Sequence, residues 1–174
     1  MSRPWHLVKR FFGMLVPLGP TRRHDAEARG QLLPAEIDLW ARMSRRDRRH
    51  SAAVARRVRA ELGDGVAREV LAAALLHDVG KIDAGLGAYG RAVATLSGAA
   101  VRRDPEVITA WTRTRGFTRK VGLYLQHPKL GGDILAMAGS DELTEAWARE
   151  HHLSPDQWSL PEDIGQVLKE SDDD

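Results

Sequence analysis

The run Val70-Leu71-Ala72-Ala73-Ala74-Leu75-Leu76 has no polar side, and His77-Asp78-Val79-Gly80-Lys81 follows it at once. A helix apolar all round is stable only when other elements surround it, so this segment predicts a central helix wrapped by the rest of the chain, with Gly80 as its stop. The imidazole and carboxylate at its end are then carried inside the protein. Burying such groups without partners costs roughly several kcal/mol each.

The flanking segments predict the wrapping. Residues 34–43 place Ile37, Trp40 and Met43 at three-residue intervals behind Pro34, an amphipathic helix with a proline start. Residues 47–62 repeat Val54, Val58 and Leu62 at four-residue spacing before Gly63-Asp64-Gly65, which ends the helix. Residues 85–98 are glycine-rich but carry Leu86, Tyr89, Val93 and Leu96 at helical intervals, a weak helix or a mobile loop-helix. Further helices are expected at 104–114, 117–127, 129–138, 141–152 and 161–172. No segment sustains the period-two alternation of a strand and no internal repeat is present. With 174 residues, 43% hydrophobic and 29% charged, the chain reads as an all-α, single-domain helical bundle.

The same periodicity points other ionisable groups inward. His50 precedes Val54 by four residues and Val58 by eight, His151 follows Trp147 by four and Leu143 by eight, and Asp172 has the same relation to Leu168 and Ile164. His127 follows Tyr124 by three and precedes Pro128, which biases it to a helix end. Several imidazoles and carboxylates therefore converge from separate helices, and a shared cation is the simplest way to satisfy them. The chain has no cysteine, so imidazole and carboxylate must hold any metal: iron, manganese, zinc or magnesium, and not a cysteine-zinc site. His6 and His24 fall outside the pattern as surface residues. Asp133, beside Gly131-Gly132, reads as a helix-surface residue, with ligand orientation as the alternative. Trp111 and Trp158 read as packing residues.

Five of the seven histidines thus form one ordered series with two aspartates: His50, His77-Asp78, His127, His151-His152, Asp172. This series resembles the HD phosphohydrolase superfamily, in the variant that carries extra histidines and holds two metal ions. The resemblance covers roughly residues 34 to 172. It implies that His50, His77, Asp78 and Asp172 hold one divalent ion, and that Asp78 bridges to a second whose further ligands are His127 and His151. It implies that Lys81 faces the substrate phosphate and that His152 supports the ligands or contacts phosphate, so catalytic roles fall on Asp78, Lys81 and His152. The two divalent ions are expected to be iron or manganese, with zinc or magnesium as alternatives. The implied activity is a metal-dependent phosphohydrolase, attacking a nucleotide-type phosphoester or phosphoanhydride through a metal-bridging hydroxide. The chain has no Gly-x-Ser-x-Gly motif and no P-loop.

Two departures limit the substrate. His151-His152 leads into Leu153-Ser154-Pro155, without the acidic residue and Gly-Tyr-Pro element of the HD-GYP phosphodiesterases. The threonine and glycine that follow the late histidine in similar diadenosine tetraphosphate hydrolases are missing too. The substrate is left as a small nucleotide-like phosphorylated molecule. Arg119, Lys120, Lys129 and Arg149 flank the late histidines and are candidates for further phosphates, with a solvated role as the alternative. The rival reading is a non-catalytic HD-type sensing module that binds metal and nucleotide.

Basic residues outnumber acidic ones over residues 1–60 and the balance reverses afterwards, for a net charge of +2. Residues 1–33 read as a basic, partly apolar N-terminal arm outside a domain at 34–174. The apolar stretch from Trp5 to Val16 is shorter than the about 20 residues needed to span a bilayer, and no small-residue cleavage site follows it. The arm is expected to pack on the domain, with peripheral contact to an anionic membrane surface as the alternative. A cytoplasmic location is expected. Stable nucleic-acid binding is not expected, since the Arg45-Arg46-Asp47-Arg48-Arg49 run explains the charge but not the histidines. One sequence leaves the oligomeric state open. Terminal turns fray unless tied down, so if metal binding provides that tie, residues 161–172 are expected to be ordered only with metal.

Overall fold

A computed structural model describes residues 21–173. They form α1 (Arg22–Arg29), α2 (Pro34–Arg42), α3 (Arg45–Leu62), α4 (Arg68–Leu76), a 3₁₀ turn (Val79–Ile82), α5 (Ala88–Ala100), α6 (Pro105–Thr112), α7 (Gly116–Leu125), α8 (His127–Ala138), α9 (Glu142–Glu150), a second 3₁₀ turn (Pro155–Gln157) and α10 (Glu162–Asp173). There is no strand among the described residues, and the fold is an all-α helical bundle.

Helix α4 is its axis, with every residue from Val70 to Leu76 buried. It packs between α3 and α9; α8 packs along α9, and α10 along α3. One side of α4 joins Leu39, Trp40, Met43, Ala52, Leu135 and Ala148. The other joins Val54, Val58, Trp147, Leu160 and Leu168. A separate small core of Ala84, Leu86, Ala94, Val121 and Leu123 knits α5 to α7.

Three differences from the sequence reading have physical causes. Residues 22–29, read as part of an arm, form a helix capped by Thr21, whose hydroxyl accepts from the His24 N–H. Ala28 and Leu32 enter the main core, and Asp25 accepts from Trp40 Nε1 at 2.9 Å. The described part of the arm thus packs on the bundle. The stretch 5–16, with the proposed membrane contact, lies outside the described residues. Among the described residues, no helix is long and apolar enough to cross a membrane. Helix α3 starts at Arg45, two residues before the expected 47, because the Ser44 hydroxyl accepts from the Asp47 N–H at 3.1 Å, an N-cap. The stretch read as a weak helix is the regular helix α5, packed so closely that a Cβ on Gly98 would meet Leu125 at 2.7 Å.

The last helix is tied by side chains. Arg57 donates twice to the Ser171 carbonyl, at 2.8 and 2.6 Å, and His50 Nε2 lies 2.8 Å from Asp172 Oδ1. Arg57 is thus a tie on this segment beside any that metal would supply. Because it pairs a charged donor with a carbonyl that would otherwise fray, Arg57→Ala is expected to destabilise the chain by about 1.5–3 kcal/mol. Urea denaturation measures this, and a change near zero would show that α10 is held by other means.

Candidate metal centre

The end of α4 delivers His77 and Asp78, and a close backbone contact brings His127 to meet them. A Cβ on Gly80 would lie 2.0 Å from the His127 carbonyl oxygen and 2.6 Å from the Gly131 nitrogen. Glycine at position 80 is what lets the 3₁₀ turn sit on the first turn of α8. His127 is the first residue of α8 with Pro128 behind it, where a proline costs no hydrogen bond. His50 comes from α3, Asp172 from α10, and His151 from the residue that closes α9.

Three of the imidazoles are oriented alike. Nδ1 of His77 lies 3.0 Å from the Ala74 carbonyl, Nδ1 of His127 2.7 Å from that of Tyr124, and Nδ1 of His151 3.1 Å from that of Ala148. A carbonyl only accepts, so each Nδ1 carries the hydrogen and each Nε2 is turned inward, the arrangement that fixes metal-ligating histidines. His77 Nε2 lies 3.6 Å from Asp78 Oδ2 and 3.5 Å from Asp172 Oδ1. His127 Nε2 and His151 Nε2 lie 3.5 and 3.8 Å from Asp78 Oδ1.

These distances leave a gap that protein atoms do not fill. The Nε2 atoms of His127 and His151 are buried and have no hydrogen-bond partner among the described residues, although a buried polar atom left bare costs about 1–3 kcal/mol. The ligand atoms of His50, His77 and Asp78 all lie within 4.8 Å of one another, as do those of His127, His151 and His152. Asp78 joins the two groups: Oδ1 faces His127 and His151, while Oδ2 faces His77 and accepts from Lys81 Nζ at 2.5 Å. The donors are imidazole nitrogens and carboxylate oxygens, suited to a divalent transition metal. The residues present fit a metal, and one carboxylate is placed to serve both groups.

The surroundings set the charge of each group. Burial pushes the Asp78 carboxyl up, but the Lys81 ammonium, with the His77 and His127 rings beside it, outweighs this and holds it well below the usual carboxylate range. Burial likewise raises Asp172, and hydrogen bonding to His50, with the His77 ring close by, brings it below that range. Burial acts against the Lys81 ammonium, yet Asp78 and Tyr124 keep its pKa above the ordinary lysine value. Burial depresses His127, with Asp78 opposing. His151 is pushed far down by burial and by the neighbouring His77 and His152. His152 is exposed as a residue, but its ring faces the cluster, and desolvation there together with His127 pushes it down to about 4.

A stability slope follows for the metal-free chain. An unfolded imidazole titrates near 6.5, and these three take up protons only at lower pH when folded. Between pH 6.5 and about 5 the unfolded chain therefore binds more protons, while the aspartates are ionised in both states. Stability is complete above about pH 6.5 and falls as the pH drops. The melting temperature is expected to be several degrees lower at pH 5 than at pH 7, and an equal or higher value would contradict the burial of neutral imidazoles.

All six expected ligands, His50, His77, Asp78, His127, His151 and Asp172, fall in this cluster, with Lys81 against it. His152 is placed differently from a residue 100° round a continuing helix. Helix α9 ends at Glu150, the chain turns, and the rings of His151 and His152 lie 4.0 Å apart. Its ring nitrogen lies within 4.8 Å of donor atoms of His127 and His151. Beside the cluster opens a cavity of about 370 Å³, bordered by His50, His77, Asp78, His127, His152 and Asp172, by Lys81, and by Tyr124, Thr95 and Arg103. The four expected phosphate holders do not line it. Arg119 and Lys120 are exposed on α7, and Lys129 and Arg149 turn to Asp133, at 3.0 and 2.7 Å. That makes Asp133 the hub of a surface ion pair. Sequence reasoning missed Arg103, which has no histidine near it in the chain, and used Tyr124 only as the helical neighbour of His127. Comparison with protein-family models, with curated proteins and with solved structures finds no match to this chain.

Proposed function

We propose that the chain is a metal-dependent phosphohydrolase of the HD type, acting on a phosphoester or phosphoanhydride bond of a nucleotide-like molecule. The observation that carries this reading is the pair of bare, buried Nε2 atoms on His127 and His151 facing a carboxylate that His77 and Lys81 approach from its other side. His50, His77, Asp78 and Asp172 would hold one ion, and His127, His151 and His152, with Asp78, a second. Two divalent ions so held supply Lewis acidity towards phosphoryl oxygens and lower the pKa of water.

The chain's own residues do the rest. Lys81 keeps its ammonium charge beside Asp78 and borders the cavity, placing a fixed cation where phosphoryl oxygens gather. The carbonyls behind His77, His127 and His151 hold each ring in one orientation, so a ligand pays no reorganisation on binding. The cavity volume of about 370 Å³ lies within the roughly 300–1,000 Å³ of small-molecule sites, which suits a nucleotide.

Protein loaded with manganese, iron, zinc or magnesium and offered nucleoside mono-, di- and triphosphates, cyclic dinucleotides and dinucleoside polyphosphates is expected to release phosphate or nucleotide with at least one metal. Lys81→Met is expected to lower kcat by about 10²-fold or more while keeping its metal. Bound metal with no turnover on any substrate would favour a sensing module over an enzyme.

A further inference from the structure

Helix α5 ends in a turn built against the usual preference of the chain. Val101 closes the helix, and Arg102 and Arg103 follow with φ of +52° and +54°. Left-handed backbone is disfavoured for any residue with a Cβ, and glycine is the usual choice after a helix terminus. This turn uses two arginines instead. It is held by three backbone bonds, Arg102 N–H to Ala99 at 3.0 Å, Arg103 N–H to Gly98 at 2.8 Å and Asp104 N–H to Val101 at 3.0 Å. The Asp104 carboxylate then caps α6 by accepting from Glu106 and Val107. Arg103 is thereby fixed between the end of one helix and the cap of the next.

Of these two arginines, Arg103 borders the cavity beside the metal centre. Lys81, the other basic side chain there apart from the histidines, is engaged by Asp78 at 2.5 Å. Arg103 is exposed and makes no ion pair or side-chain hydrogen bond among the described residues, whereas Arg91, on helix α5, is held by both oxygens of Asp47. A guanidinium carried on strained but well-bonded backbone at the edge of this cavity is free to pair with an anion bound there.

We propose that Arg103 is the specificity-determining residue of this cavity. It binds a phosphate group other than the one at the Asp78 cluster, so that the substrate carries at least two linked phosphates. The proposal rests on the phosphohydrolase reading for the cluster, and adds a second anion position on the α5–α6 turn.

The test is calorimetric titration of inorganic pyrophosphate and of orthophosphate, each as its magnesium salt, into wild type, Arg103→Gln, Arg103→Gly and Arg102→Gln. Wild type is expected to prefer pyrophosphate by about tenfold or more, the size of one charge-assisted contact. Arg103→Gln should erase that preference with little change for orthophosphate, and Arg102→Gln should keep it. Arg103→Gly should erase it while raising the melting temperature, because glycine relieves the left-handed backbone, whereas a merely structural arginine would lower the melting temperature when removed. A preference that survives in Arg103→Gln, or one absent from wild type, overturns the proposal. The hydrolase reading stands or falls separately: pyrophosphate binding that depends on Arg103 in a chain that hydrolyses no phosphorylated substrate would support this second position and sink the enzyme.

Discussion

Gly80→Ala is expected to destabilise the chain by about 3 kcal/mol, the upper end for forcing volume into a packed interior, and to remove bound metal. The added Cβ would meet two backbone atoms, the His127 carbonyl oxygen at 2.0 Å and the Gly131 nitrogen at 2.6 Å, and neither can swing aside as a side chain would. The contact is relieved only by parting the 3₁₀ turn from α8, and that motion carries His127 away from Asp78. Gly65→Ala is the control, since a Cβ there meets nothing within 4 Å and should leave both properties unchanged. Urea denaturation with metal analysis reads both effects. Wild-type stability and metal content in Gly80→Ala would mean that this contact does not set the geometry of the site.

The second large effect is expected at Asp78. Asp78→Asn keeps the shape of the side chain but removes the charge opposite Lys81, and the pair is nearly buried, with side chains 7% and 14% exposed. Breaking a buried pair by removing one partner costs about 3–5 kcal/mol, so Asp78→Asn should be strongly destabilised and inactive. In the double variant Asp78→Asn/Lys81→Met the lone ammonium is gone, and most of the stability should return while metal binding and turnover do not. Full activity in either variant would exclude Asp78 from the centre. Failure of the double variant to regain stability would show that Asp78 holds the fold through contacts other than Lys81.

Much of this arrangement was legible because it follows from helical geometry. The apolar run at 70–76 required a buried helix, so His77 and Asp78 had to be internal. His50, His151 and Asp172 were placed correctly by their four- and eight-residue relation to Val54, Trp147 and Leu168, all fully buried. What periodicity could not reach lay at helix ends and in turns. Periodicity gave His152 no inward relation, and its ring comes within 4.0 Å of that of His151 where α9 ends. Residues 22–29 carry few apolar side chains, and their burial rests on Ala28 and on Asp25 reaching Trp40, a contact between segments that no local pattern encodes. Arg103 enters the cavity only because the chain turns left-handed after α5, a feature that sequence ordinarily signals with glycine.

The central claim is that these histidines and aspartates converge to hold metal, and metal content measures it most directly. Elemental analysis of the chain purified without chelator, or dialysed after loading with manganese or iron, is expected to find about two divalent ions per molecule in wild type. In the double variant His127→Ala/His151→Ala about one should remain, because the group of His50, His77, Asp78 and Asp172 is left intact. Wild-type protein that is folded yet holds no divalent ion under either condition would contradict the claim.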